Sequence, residues 1–110
     1  MPETPFRIEE QSSDRTRTVL PQGELDIATA PHLEDRLSNL RRAGAATVLD
    51  LSGVSFMDST GIAVLVRAVN AARDDGWEFR VNPDVQPQVE RVIRLSGIDS
   101  RVWPTAAKGA

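Results

Sequence analysis

Two helix-period apolar stripes enclose one short apolar run, and this alternation restricts the chain to a small set of folds. From Ala30 to Ala43, Leu33, Leu37 and Leu40 recur at i, i+4 and i+7, which predicts an amphipathic helix. Pro31 suits its first turn, Glu34 and Asp35 lie near its positive end, and Arg41 and Arg42 complement its negative end before Gly44. After SGVSFMDSTG the pattern returns in Ile62, Leu65, Val66 and Val69, up to Asp74-Asp75-Gly76. Two acids in a last turn oppose the helix dipole, so this helix is predicted to stop just short of them. Between the stripes, Thr47 to Leu51 (TVLDL) reads as a central strand buried on both faces. Strands joined through helices imply right-handed crossovers and parallel pairing.

The flanking segments extend the same plan. Phe6 and Ile8 alternate with Arg7 and Glu9 as a short opening strand, and polar Gln11 to Asp14 turns the chain. Thr16 to Gln22 reads as a second strand, although Pro21 cannot donate to a ladder and belongs at an edge or bulge. Trp77 to Val81 is a further strand. A third helix carries Val85, Val89, Val92 and Ile93, with Asp84 as N-cap and Pro87 in the first turn. Gly97 followed by Ile98 reads as a left-handed cap with its hydrophobic contact. Val102 and Trp103 suggest an edge strand. The predicted class is α/β, with a mixed, mostly parallel sheet of four to five strands and three or more helices. At 110 residues the chain suits one domain, its core about 5–103 and a flexible tail at 104–110.

The reactive inventory is thin. There is no Cys or Tyr, one His (His32) and one Lys (Lys108), which excludes disulfides, thiolate chemistry and multi-imidazole metal sites. A net charge of −3 offers no overall positive field for a polyanion, so direct nucleic-acid binding is not expected. The opening MPETPFRIEEQ does not read as a secretory signal. No run approaches the roughly 20 apolar residues that span a bilayer, so membrane insertion is not expected. The expectation is a soluble cytoplasmic protein without catalytic residues, metal or cofactor.

Chemistry concentrates in Asp50-Leu-Ser-Gly-Val-Ser-Phe-Met-Asp-Ser-Thr-Gly61, which joins the central strand to the second helix. Carboxyl ends of strands and the helix N-termini after them form the usual functional rim of such sheets. Ser59 directly precedes the periodic residues and is the predicted N-cap, with Asp58 a turn residue. A phosphate on Ser59 would add about −1.5 to −2 charges where helix N–H groups favour an anion, and would change what docks there. Asp58 would add to that charge. A hydrolase using Ser59, His32 and a carboxylate such as Asp26 is a weaker reading, because the first Gly of a G-x-S-x-G elbow and an oxyanion-hole motif are both missing. Neither nucleotide-binding glycine fingerprint is present. Glu24 and Asp26 read as solvated loop acids, with Asp26 starting a turn.

Gly23-Glu-Leu-Asp26, Val48-Leu-Asp-Leu51, Ser55-Phe-Met-Asp-Ser-Thr-Gly61 and Val89-Glu-Arg-Val-Ile-Arg-Leu-Ser-Gly-Ile98 together resemble the STAS domain of bacterial anti-sigma factor antagonists, over about Val19 to Val102. The resemblance implies the STAS fold. It implies that Ser59 is the phosphoacceptor of a serine-kinase anti-sigma factor, and that Asp26, Asp58, Ser59, Thr60 and Gly61 belong to the partner-binding surface. It further implies that the unphosphorylated form binds the anti-sigma factor and frees the sigma factor, and that a serine phosphatase acting on phospho-Ser59 restores binding. A regulatory STAS subunit of a membrane transporter or sensory assembly is the alternative. Where a small Gly-containing pair is expected after the motif, this chain has Ile62-Ala63.

Overall fold

The computed structural model describes residues 5–104. The chain runs β1 (Arg7–Ser13), β2 (Thr16–Leu25), α1 (Ala30–Arg42), β3 (Ala46–Leu49), β4 (Val54–Met57), α2 (Ser59–Asp75), β5 (Phe79–Val81), α3 (Pro87–Leu95) and α4 (Asp99–Val102). β1 and β2 form an antiparallel hairpin, β3 lies parallel to β2, and β5 lies parallel to β3, in the order β1-β2-β3-β5. The connections through α1 and α2 step across the sheet in the same direction. Right-handed crossovers therefore lay both helices on one face, where they pack against each other.

The strand β4 departs from the predicted order, which treated Ser52 to Gly61 as a connection. Val54–Met57 pairs parallel with the far half of β2, through Gly23↔Val54, Glu24↔Phe56 and Leu25↔Met57. β3 covers the near half of β2, from Thr16↔Ala46 to Val19↔Leu49. The two short strands thus act as one strand interrupted at residues 50–53. Periodicity passes over β4 because Val54 and Met57 are buried while Ser55 and Phe56 are exposed, which is neither an alternation nor a continuous apolar run.

The interruption also accounts for Pro21, which is fully buried inside β2 and not at an edge. The Val19 carbonyl accepts from the Asp50 N–H at 2.9 Å, and the Gly23 N–H donates to the Gly53 carbonyl at 3.0 Å. The Pro21 nitrogen lies on the same edge between them and faces the gap between β3 and β4, so no ladder bond is lost. One residue beyond Gln22 the register shifts in a bulge, and Gly23 takes φ +110°, a conformation that side chains oppose.

Leu33, Leu37 and Leu40 of α1 are buried as predicted. On α2 the buried set is Gly61, Val64, Leu65 and Ala68, so the inward face is rotated from the predicted one, and Ile62, Val66 and Val69 are half-buried. Several ends also differ from expectation. β1 continues through Ser13 because the whole polar stretch Gln11 to Ser13 pairs with β2. α2 runs through Asp74 and Asp75 to Gly76, and Asp75 is tolerated there because its carboxylate accepts from Arg41 at 2.7 Å. At α3, Gln86 and not Asp84 holds the cap position, since Pro87 at the first helical position needs an extended residue before it.

Val102 and Trp103 do not form an edge strand. Gly97, at φ +76°, turns the chain after α3 so that Ile98 and Val102, one helical turn apart, both enter the core, and α4 results. Apart from exposed Pro104, the predicted tail lies outside the described residues. Among the described residues no helix is long and apolar enough to cross a membrane, and no group of three or more His, Asp or Glu could hold a metal ion.

Candidate functional site

Pairing of β2 with β4 brings the two motif segments together. Leu25 and Met57 are partners in the last register position, and the Asp58 N–H donates to the Leu25 carbonyl at 3.3 Å. Asp26 and Asp58 therefore leave the sheet side by side at the carboxyl ends of neighbouring strands. From there one chain enters the turn before α1 and the other enters α2 directly.

Asp58, and not Ser59, is the N-cap of α2. Its backbone is extended (φ −112°, ψ −167°), and its Oδ1 accepts from the Thr60 N–H at 2.9 Å. The same oxygen accepts from the Thr60 hydroxyl. An aspartate caps as well as a serine, and here the strand β4 ends one residue earlier than a Ser59 cap requires. The Thr60 hydroxyl, donating to Asp58, holds its carboxyl below the ordinary value of 3.8 against the opposing effect of desolvation, and the N–H groups of Thr60 and Gly61 also favour the ionised form. The Thr60 N–H is thus taken by Asp58 and is not free for a phosphate. Ser59 takes the first helical position, where its side chain is exposed, while the hydrogen bonds of the turn run between Asp58 and Thr60.

Gly61 is buried beneath this turn. A Cβ there would lie 2.7 Å from Met57 Cγ and 3.1 and 3.2 Å from Leu25 Cδ2 and Cγ. Only a glycine lets α2 begin this close to the ends of β2 and β4. Its place is underneath the rim, supporting the turn that presents Ser59.

Asp26 organises the opposite side. Its Oδ1 accepts from the N–H groups of Ala28 and Thr29 at 3.0 and 3.2 Å, its own N–H donates to Thr29 Oγ1 at 2.9 Å, and Thr29 Oγ1 donates to the Glu24 carbonyl at 2.7 Å. Glu24 itself belongs to β2, not to the following loop. This locked turn pushes Ile27 outward, 78% exposed. Ile27 and Pro31 face Thr60 and Ala63 across a groove of about 380 Å³ between the starts of α1 and α2. Its far end is closed by Arg67, whose Nε donates to both Glu34 carboxylate oxygens at 3.0 and 2.9 Å; this hydrogen bonding raises the Arg67 pKa above its ordinary value. Neither Ile27 nor the Glu34–Arg67 clasp is singled out by the sequence pattern. The available signal is an isoleucine alone in a turn, with no periodic partner.

His32 is exposed on the first turn of α1 and does not line the groove. The carboxylate suggested for a hydrolase, Asp26, is occupied by backbone and threonine donors. What remains is a presented hydroxyl beside an apolar knob, in a rim bearing Glu24, Asp26, Asp35 and Asp58, where the neighbouring arginine is already paired.

Comparison with known proteins bears on the family and the fold. The sequence model of the STAS domain matches residues 7–108. The anti-sigma-B factor antagonist of Staphylococcus aureus is 32% identical over 94 residues, covering 84% of this chain and 86% of the relative. The anti-sigma-B factor antagonist of Bacillus subtilis is 36% identical over 76 residues, covering 69% of this chain and 66% of the relative. A crystal structure of an anti-sigma factor antagonist from Mycobacterium paratuberculosis matches with a TM-score of 0.72 at 27% identity, over 87% of this chain and 81% of that one.

Proposed function

The chain belongs to the STAS domain family, and from that premise we propose that it is an anti-sigma factor antagonist switched by phosphorylation of Ser59. In this reading residues 1–110 act as one cytoplasmic domain. The unmodified protein binds a serine-kinase anti-sigma factor through the rim formed by Asp26, Ile27, Ser59 and Thr60, and so releases the sigma factor. Phosphorylation by that kinase ends binding, and a serine phosphatase restores it. The kinase chemistry comes from the partner, which suits a chain without cysteine and with a single histidine.

The observation that carries the proposal is the exposed Ser59 hydroxyl at the start of α2, beside the outward Ile27 turn. A bare hydroxyl is buried under a partner at small cost. A phosphate brings about −1.5 to −2 charges, and burying unpaired charge is costly. On this rim the phosphate meets Asp58, the Thr60 N–H is taken by Asp58, and Arg67 is paired with Glu34. The physical switch is therefore the desolvation of a charge that the rim does not compensate, with repulsion added wherever the partner is acidic.

The experiment is a pulldown from the source bacterium with the protein before and after ATP treatment, followed by mapping of phosphate by mass spectrometry. A serine-kinase anti-sigma factor captured only by the unmodified form, with phosphate on Ser59, is the expected result. Capture of a membrane transporter instead, or a protein that takes no phosphate, refutes the proposal.

A further inference from the structure

Ser59 and Thr60 are adjacent hydroxyls at one helix start, yet their surroundings differ in a way that bears on which of them receives phosphate. Resting on the phosphorylation proposed above, we infer that Asp58 is a positioning residue that selects Ser59 as acceptor by holding the Thr60 hydroxyl as its own hydrogen-bond donor.

The transfer requires an available acceptor oxygen. That oxygen bonds to the γ-phosphorus of ATP, the bond from phosphorus to the β–γ bridging oxygen breaks, ADP leaves with that electron pair, and the acceptor's proton passes to a base of the kinase. Ser59 meets the requirement: it is exposed and outside the hydrogen bonds of the turn. Thr60 does not. It is half-buried, and its N–H and hydroxyl both donate to one oxygen, Asp58 Oδ1.

An ionised carboxylate only accepts, so it orients the Thr60 proton inward. For Thr60 to react, the hydroxyl must give up a hydrogen bond to a charged group and leave the rotamer that the clamp imposes. The incoming triphosphate would also approach the Asp58 carboxylate directly. The opposite role, Asp58 activating Thr60 as its base, is disfavoured because its depressed pKa makes it a weak base. The two roles predict opposite changes when Asp58 is removed.

The test uses labelled ATP, a soluble extract of the source bacterium as the kinase supply, and site mapping by mass spectrometry. Wild type is expected to carry phosphate on Ser59 alone. Asp58→Gly, which leaves a residue tolerated at an N-cap, is expected to carry it on both Ser59 and Thr60. In a Ser59→Ala background, Asp58→Gly should raise Thr60 phosphate roughly tenfold or more, the scale of losing one hydrogen bond to a charged group, and adding Thr60→Val should abolish it.

Thr60 phosphate on wild type overturns the inference. So does Ser59 phosphate without Thr60 phosphate on Asp58→Gly, and so does no phosphate on that variant, since Asp58 would then act in recognition. If Asp58→Gly fails to fold, Asp58→Asn with Ser59→Ala decides, because asparagine preserves the cap but loses the charge that strengthens its hold on the Thr60 hydroxyl: Thr60 phosphate above the Ser59→Ala level supports the inference and equality overturns it. A wild type without any phosphate refutes the underlying reading instead.

Discussion

Replacing Gly61 by alanine sets two effects of opposite sign against each other. Helix propensity alone favours alanine over glycine by about 0.8–1 kcal/mol in a helix interior. The new methyl, however, would stand 2.7 Å from Met57 Cγ and 3.1 Å from Leu25 Cδ2, both on buried side chains at the ends of β4 and β2. Overpacking of this kind costs about 1–3 kcal/mol. The net expectation is a loss of about 1 kcal/mol for Gly61→Ala, and about 3 kcal/mol for Gly61→Val, which adds two further carbons and a β-branch. In a domain near this size each kcal/mol lowers Tm by about 4–8 °C. Thermal unfolding followed by circular dichroism reads both values. An alanine variant as stable as wild type, or more stable, refutes the reasoning, because propensity would then prevail and the space above Leu25 would be open.

Other expectations follow from the same turn and its surroundings. Asp58→Ala should lower stability by about 0.5–2 kcal/mol through loss of the cap, whereas Ser59→Ala should stay within about 0.5 kcal/mol; urea titration showing the reverse would return the cap to Ser59. Asp58 and Asp75 have pKa values lowered in the fold, mainly by hydrogen bonds from Thr60 and Arg41 respectively, so the stability they contribute is present above their ordinary value of 3.8 and is lost as pH falls through their folded values. Urea midpoints measured from pH 6 downward should drop less in Asp58→Asn and Asp75→Asn than in wild type, and parallel curves would contradict this. Ile27→Ser should leave Tm nearly unchanged, since the side chain is 78% exposed, and yet weaken partner binding by roughly tenfold or more if Ile27 anchors the contact. Unchanged affinity by titration removes Ile27 from the interface.

Much of the fold could be read in advance because its signals are local. The α1 stripe, the Gly97 turn with Ile98 behind it, and the buried core of TVLDL each follow from spacing and need no tertiary information. β4 did not, since its four residues acquire strand geometry only by lying against the second half of β2. The same long-range pairing decided the site. It set the helix start at Ser59, one residue earlier than a Ser59 cap implies, made Asp58 the cap, and brought Asp26 alongside. It also left the gap that receives Pro21. Ser59 and Asp26 enter the proposed site through the resemblance that their motifs carry. Ile27 could not be read in advance, because its exposure results from the hydrogen bonds of Asp26 and Thr29 that force the turn outward.

Phosphorylation is proposed to act through charge placed where the rim has nothing to receive it, with the fold unchanged. A titration of a purified serine-kinase anti-sigma factor with unmodified protein and with protein phosphorylated on Ser59 addresses this, each form first shown by circular dichroism to be folded. The expected result is a loss of affinity of about 30-fold or more, from the 2–5 kcal/mol that an unpaired buried charge costs at an interface, with Ser59→Ala binding as tightly as the unmodified protein. Equal affinity of the phosphorylated and unmodified forms would contradict the switch.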